Sequence, residues 1–538
     1  MLRIQQIKLP VTHTEQELVG KIRKLLHVRP EELLRYRICR RSLDARKGEL
    51  RYVYTIDAEV KQEGTVLKRC RGNAEKAKDV PYKFPASGTA MPAGRPVIVG
   101  TGPAGLFCGL MLARAGYGPI VLERGQSACE RVRTVENFWK LGILDPQSNV
   151  QFGEGGAGTF SDGKLNTLVK DPAGRNQKVL EIFVEAGAPE EILYEQKPHL
   201  GTDLLVGIVS HIREEIKRLG GEVRFGCQVT DLVLEKGAVR GVAVQKDGQP
   251  PEVIEAQTVV LAIGHSARDT FSMLKKRGIP MQPKAFAVGV RMEHPQEMIN
   301  ESRYGKAYPS LLPPASYKVT RKTGSGRGVY SFCMCPGGYV VNASSEKGAL
   351  AVNGMSYQAR DGRNANSAMI VTVTPKDYGG TDVLSGVEFQ RKLEQAAYSL
   401  GEGKIPVQTF KDFCQNTASA ALGEIRPCMK GAYTLANVRS IFPKELAGAL
   451  EEGILGCEHL IPGFAREDAV LSGVESRTSS PVRILRNEQL ESPVCGLYPC
   501  GEGAGYAGGI TSAAMDGLKI AEAIAKKYAP CYDIKNSV

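Results

Sequence analysis

VIVGTGPAGLFCGLMLARAGYGPIVLER, residues 97–124, sets a strand, a glycine turn, a helix and a second strand in immediate succession. Val97, Ile98 and Val99 form the short apolar run expected of a strand covered on both faces. Gly100, Gly102 and Gly105 follow in G-x-G-x-x-G spacing. Gly100 permits the tight turn, Gly102 lets backbone approach a pyrophosphate, and Gly105 lets the helix pack closely on the sheet. Pro103 and Ala104 open that helix, whose first N–H groups face the phosphates. A second apolar run, Ile120–Val121–Leu122, ends at Glu123. A carboxylate there, about 20 residues on, is placed to accept from a ribose hydroxyl. Glu123, with Arg124 behind it, favours FAD or NAD over a 2′-phosphate ligand. The unit predicts a dinucleotide-binding, Rossmann-like domain.

The same glycine spacing recurs at Gly153–Gly155–Gly158 and at Gly503–Gly505–Gly508. The first copy follows Asn149–Val150–Gln151–Phe152, too short and polar for a buried parallel strand. The second follows a plausible strand, but the chain stops before another strand closes a βαβ unit. Only the Gly100 copy has the structural context the fingerprint needs.

At 538 residues, two or three domains are expected. Apolar content of 42% with 24% charged residues is that of a soluble globular protein. No run of about 18 apolar residues suits a membrane span, and the N-terminal MLRIQQIKLPVTH lacks a signal-peptide core. Thirteen scattered cysteines without a C-x-x-C pair suggest reduced thiols in a cytoplasmic enzyme, with no metal site indicated. Of the net charge of +12, residues 1–90 carry +9, from 20 Lys/Arg against 11 Asp/Glu. A solvated basic face is the favoured reading, because no stacking aromatics accompany the charge; RNA binding is the alternative.

Residues 1–85 read as a small basic α+β domain: a strand over 2–9, a helix from Glu15 capped by Thr14, and strands over 35–41 and 50–60 joined by a polar turn at 44–48. A Pro/Gly-rich linker runs from Pro85 to Pro96. The dinucleotide domain is expected to be discontinuous, covering 95–280 and returning over 476–530. Its further strands are 222–225, 258–264 and 496–500, with a β-meander near Val229 and a last helix over 509–527. Residues 281–475 read as an inserted, mainly antiparallel substrate or cap domain built of strands and hairpins. The predicted class is α/β.

Strand ends at Gly100, Glu123, Gly264 and Gly501 then share one carboxyl edge, where open α/β sheets bind ligands. The loop Gly153–Gly163 carries little side-chain bulk, so its backbone can lie against a ring system. Gly155, Gly156, Gly158, Ser161 and Asp162 are its cofactor-binding candidates, and Val229 is the candidate from the meander. Gly509 and Ile510 open the last helix, whose positive end suits the charge that a reduced flavin carries. NAD alone needs no such second and third glycine loop, so the cofactor is FAD.

These stretches resemble the glutathione-reductase-type flavoprotein superfamily. More narrowly, nearly the whole chain is similar to the bacterial and plastid family of uncharacterised FAD-dependent dehydrogenases. The resemblance rests on SLDAR (42–46), FGEGGAGTFSDGKL (152–165), LAIGHSARDTF (261–271), FCMCPGG (332–338), NANSA (364–368), GVESRTSSPVRILR (473–486) and GEGAGYAGGITSAAMDG (501–517). It implies FAD and a dehydrogenase or reductase role, and supplies no substrate. Glu502 stands where many members of the superfamily carry aspartate, and is expected to reach the ribitol or a pyrophosphate-linked water.

Four residues are candidates for chemistry. Cys333 and Cys335 share a strand face, either as a flavin-facing redox pair or as two small packed residues; a C-x-C disulfide is strained. His199 is either an acid catalyst or a structural histidine ahead of a helix capped by Asp203. Arg477 is either a fixed cation for an anionic substrate and the reduced flavin, or half of a Glu475–Arg477 ion pair. Arg426 is a weaker candidate of the same type. The expected reaction is hydride transfer through flavin N5 with an unidentified small molecule, NAD(P)H acting at most as a transient reductant. A flavoenzyme acting on RNA and a non-catalytic FAD-binding regulator are the alternatives.

Overall fold

The computed structural model describes residues 1–46, 49–70, 72–78, 81–246 and 248–530. At its centre is a five-stranded parallel sheet in the order Leu497–Pro499, Val259–Leu261, Val97–Val99, Ile120–Leu122, Glu222–Arg224. The four strands from Leu497–Pro499 to Ile120–Leu122 are three residues long and wholly buried, so short apolar runs suffice to specify them. The helix Pro103–Arg114 leaves the glycine turn with Gly102 as N-cap and proline in its first turn. Against it lies the C-terminal helix Ile510–Lys527, with Gly517 set on the backbone of Ala104. Small residues bring the two helices into close contact, and Leu106, Leu110, Ala514 and Leu518 fill the core between them and the sheet.

The helix Thr202–Arg218 covers the same core. Its N-cap is Gly201, not Asp203: a side chain at 201 would collide with Gln358. Asp203 lies in the first turn and accepts from the Gln358 amide at 2.8 Å. A three-stranded antiparallel meander (Cys227–Glu235, Ala238–Lys246, Glu252–Glu255) packs at the other face.

The second layer is a seven-stranded sheet in the order Thr320–Lys322, Gly328–Cys335, Asn364–Val373, Phe286–Pro295, Val470–Glu475, Ile405–Thr409, Tyr433–Leu435. Only its last pair is parallel. Helices Ser385–Gly401 and Lys444–Cys457 pack on it, within a stretch whose sequence reads as strands and hairpins alone. The first helix was hidden by polar residues on its buried stripe: Gln390 and Glu394 lie among Val387, Leu393 and Ala397.

The N-terminal unit is a four-stranded sheet, Leu33–Asp44, Arg51–Val60, Leu2–Pro10, Glu75–Lys76, covered by the helix Glu15–Leu26. Thr14 forms a capping box with Glu17, and Leu18, Ile22 and Leu26 are buried. Of the expected 44–48 turn, residues 47 and 48 lie outside the described residues. Many of the basic side chains are paired: Arg3 and Arg37 grip buried Asp57, Arg35 meets Glu59, and Arg41 meets Glu195. Arg41 also exchanges backbone hydrogen bonds with Tyr194 and Gln196 at 2.7 and 2.9 Å. The stretch expected as a linker is docked rather than free. Gly88 and Ala90 bond the backbone of Ala525 and Ala529, and Tyr82, just ahead of the stretch, donates to Glu522.

Candidate functional site

The carboxyl edge of the parallel sheet opens into a cleft of ≈ 360 Å³, walled on its far side by the seven-stranded sheet. Each fingerprint glycine has a separate reason to be glycine. Gly100 sits at φ +103°, and a side chain there would strike the Ala262 carbonyl. A Cβ at Gly105 would overlap the Gly100 carbonyl oxygen, so this position sets the helix-to-strand distance. A Cβ at Gly102 would meet only ordinary contact, the Gly156 Cα at 3.9 Å; nothing in the protein forbids it. The space in front of Gly102 belongs to the cleft, as do Pro103 and Ala104.

Glu123 is 5% exposed, and both of its oxygens are engaged within the protein. Oε2 accepts from the Thr101 amide and hydroxyl at 2.9 and 2.6 Å; Oε1 accepts from the Gly125 and Gly153 amides at 2.9 and 3.1 Å. The carboxylate thereby ties the turn after the first strand to the second glycine loop. Arg124 forks onto Asp269 and stacks 4.4 Å from the Phe152 ring centre.

That second loop is organised by a residue sequence reasoning passed over. Arg131 is fully buried and donates to the carbonyls of Asn149, Val150, Gly153, Glu154 and Gly156, with its guanidinium 4.9 Å from the Phe160 ring centre. Burial pulls its pKa down to about 10, with Glu123 and Glu154 opposing the shift. Held so, the loop lays Gly153, Gly156, Gly158, Ser161 and Asp162 along the cleft, while Gly155 lies behind the lining. Asp162 takes hydrogen bonds from Ser356 and Arg360, both at 2.6 Å.

Val229, Gly264, Glu502, Gly509 and Ile510 also line the cleft; Gly105 and Gly501 support it from behind. The helix Ile510–Lys527 starts at Gly509 without a side-chain cap, and a Cβ at Gly508 or Gly509 would meet only open space. An uncapped helix start presents free N–H groups and the positive end of the dipole to the cleft.

From the seven-stranded sheet and the turn after its strand Val470–Glu475 come Phe332, Cys333, Glu475, Arg477 and Thr478, while Asn353 and Gly354 come from the strand Val352–Met355 of a separate three-stranded sheet packed beside it. The two cysteines do not share a strand face, because the ladder slips between Phe332 and Cys335 and Cys333 takes φ +40°. Cys333 borders the cleft; Cys335 is buried and its thiol donates to the Cys333 carbonyl at 3.2 Å. Burial pushes the Cys335 pKa up to about 11, so it is a thiol rather than a reactive thiolate, while Cys333 is exposed to the cleft.

Glu475 and Arg477 are not partners. Glu475 accepts from fully buried Arg291 at 2.8 Å. Arg477 forks onto Glu394 at 3.0 and 2.8 Å and reaches the Ser345 and Ser266 hydroxyls. Glu394 also takes two hydrogen bonds from Arg268, at 2.7 and 2.9 Å, and one from Ser476. Burial raises the Glu394 pKa, but the Arg268 and Arg477 charges outweigh it and hold the carboxyl well below the usual range. The charge of Arg477 is therefore matched inside the protein. His199 lies outside the cleft lining, and burial drops its pKa to about 4, which makes it neutral and a poor acid near neutral pH. Arg426 is likewise absent from the lining.

A second residue that sequence reasoning missed is His265, in the stretch LAIGHSARDTF. It lines the cleft with Nδ1 3.0 Å from Glu502 Oε1. Glu502 also accepts from the Gly509 amide at 3.2 Å, so it joins the imidazole to the start of the last helix.

A glycine-walled cleft at a parallel-sheet edge, with room at Gly102 and an uncapped helix start at its other end, defines a dinucleotide-binding α/β flavoprotein. Residues 95–273 match the family described as FAD binding domain, residues 285–478 that described as FAD-dependent protein, C-terminal domain-like, and residues 1–59 a domain of unknown function. The chain is 48% identical over 534 residues to an uncharacterized protein of Clostridium beijerinckii, covering 98% of this chain and 99% of that one. It belongs to the same FAD-dependent protein family, and its cofactor is FAD. Among solved structures it resembles a triple mutant of the flavin-dependent brominase Bmp2 (13% identity, 82% and 81% of the two chains, TM-score 0.37). It also resembles L-proline dehydrogenase from P. horikoshii (13%, 82% and 96%, TM-score 0.34). Likenesses this distant say nothing of its reaction.

Proposed function

We propose that this protein is an FAD-dependent oxidoreductase, a dehydrogenase or reductase that moves a hydride to or from a small molecule held between the cofactor and the seven-stranded sheet. The carrying observation is that one cleft joins the glycine-walled sheet edge to Cys333 and Glu475 of the seven-stranded sheet and to Asn353 and Gly354 of the three-stranded sheet beside it. A site for a cofactor alone has no need of that polar second wall; pockets between layers are where substrates bind. When bound, FAD supplies the two-electron chemistry at N5. Gly102 and Gly156 would take the pyrophosphate, and the Gly509–Ile510 helix start would face negative charge on the cofactor. Arg291 and Arg477, each tied to a buried carboxylate, hold the opposite wall rigid rather than offering a free cation.

NAD(P)H, if it is a donor, docks transiently in the same cleft, because no second fingerprint leads into a closed βαβ unit. The 13 cysteines suit a reducing compartment, the cytoplasm. The test is anaerobic mixing of the FAD-loaded protein with NADH, NADPH, secondary alcohols, amines and dithionite. At least one organic donor is expected to bleach the flavin's visible band. A response to dithionite alone would support the regulator reading instead.

A further inference from the structure

We propose that His265 is the proton-transferring residue of the cleft and that Glu502 positions it. This rests on the oxidoreductase reading above and names the group that serves it.

The pair is assembled by the sheet. Strands Val259–Leu261 and Leu497–Pro499 are parallel neighbours in register, Leu261 opposite Pro499. The loops leaving them place His265 and Glu502 side by side over the carboxyl edge. Close packing fixes the two loops, since a Cβ at Gly503 would overlap the Gly264 carbonyl. The next residue, Ser266, donates to Gln151 at 3.0 Å and accepts from Arg477, which pins the loop from the far wall.

Within this frame the two imidazole nitrogens differ. Nδ1 faces Glu502 Oε1 at 3.0 Å, and Glu502 is itself held by the Gly509 amide. A carboxylate can only accept, so Nδ1 carries a hydrogen, and in the neutral imidazole Nε2 is then the nitrogen with the lone pair. Nε2 is buried and has no hydrogen-bond partner among the described residues, although His265 lines the cleft. Buried polar atoms are seldom left unpaired; the imidazole is 12% exposed on the cleft, and a turn of the ring brings Nε2 to a ligand atom that completes it. The charged groups around the pair are Glu502, Glu475 on the opposite wall, and Lys284 beyond Glu502.

The chemistry balances for a donor that bears C–H next to O–H or N–H. The C–H bond would break with its electron pair leaving as hydride, which FAD, when bound, would accept. The O–H or N–H proton passes to His265 Nε2 as the C=O or C=N bond forms. The substrate is oxidised by two electrons, the flavin is reduced by two, and Glu502 stabilises the imidazolium. In the reverse direction His265 returns the proton.

Two measurements decide the assignment. The first needs no substrate. In ¹⁵N-histidine-labelled, FAD-loaded protein at mildly alkaline pH, His265 should show one tautomer with hydrogen on Nδ1. The signal is identified by its loss in His265→Gln, and Glu502→Ala should release it to a mixture of tautomers. A hydrogen on Nε2, or a tautomer indifferent to Glu502→Ala, would overturn the assignment. The second is the rate of flavin reduction by the alcohol or amine donor found active in the wild type. His265→Ala should slow it by about 100-fold or more, with partial rescue by added imidazole, while dithionite reduction and FAD affinity stay unchanged. Equal rates in wild type and variant would overturn the assignment and leave the oxidoreductase reading standing. Weakened FAD binding with unaltered rates would make His265 a cofactor ligand instead. A wild type that no organic donor reduces would strike the oxidoreductase reading itself, and this proposal with it.

Discussion

Gly102→Val protein is expected to fold and to bind no FAD. A Cβ at 102 finds only ordinary contact with Gly156, so the apoprotein tolerates it. The cost to the fold is the poorer N-cap of the Pro103–Arg114 helix, about 1 kcal/mol. The valine methyl groups would occupy the space through which a pyrophosphate must approach the helix start. Gly105→Ala should behave in the opposite way. Its methyl would overlap the Gly100 carbonyl, so the helix must leave the sheet and stability should fall. FAD fluorescence titration alongside thermal melts separates the two. A Gly102→Val protein that retains FAD would mean that the pyrophosphate lies elsewhere.

The second large effect is expected at Glu394, which no chemical argument from sequence singled out. It is completely buried between Arg268 and Arg477. Glu394→Gln leaves two buried guanidinium groups facing a neutral amide, and breaking a buried ion pair in this way costs about 3–5 kcal/mol. Urea unfolding measures it; a loss below about 1 kcal/mol would show that the cluster contributes little net stability. Arg477→Ala should cost less, because the Arg268–Glu394 pair survives, and Arg477→Lys should recover little, since lysine cannot reproduce the two-pronged contact. The pH dependence follows. Because the folded-state pKa of Glu394 is depressed, its stabilisation is fully present above the ordinary carboxylate value of about 4.3 and is lost as pH falls below it.

Local signals made the first half of the site legible. The fingerprint from Val97 to Glu123 is one contiguous unit, and each of its parts reports itself through spacing. The separated strands at 259–261 and 497–499 were also readable, because each is an apolar run that stops at a glycine-bearing turn. The rest depends on which segments meet. His265 is one histidine after a glycine, and gains meaning only when two parallel strand ends bring Glu502 to its Nδ1. Arg131 reads as an ordinary charged helix residue until its guanidinium is seen gathering five carbonyls of the 149–156 loop. The missed helix Ser385–Gly401 and the wrong partner for Arg477 have one cause. Glu394 sits on the helix's buried stripe, where its charge both breaks the apolar period and answers Arg477.

FAD is expected to run from the Gly100–Gly105 turn, past the 153–163 loop, to the start of the last helix, with its ring facing the seven-stranded sheet. A crystal structure of the FAD-loaded protein tests this most directly. Pyrophosphate density is expected against Gly102 and Gly156, and ring density between Gly509 and Ile510 on one side and Cys333, Asn353 and Gly354 on the other. Ring density at the Glu123 end of the cleft, or a cofactor bound outside it, would contradict the claim.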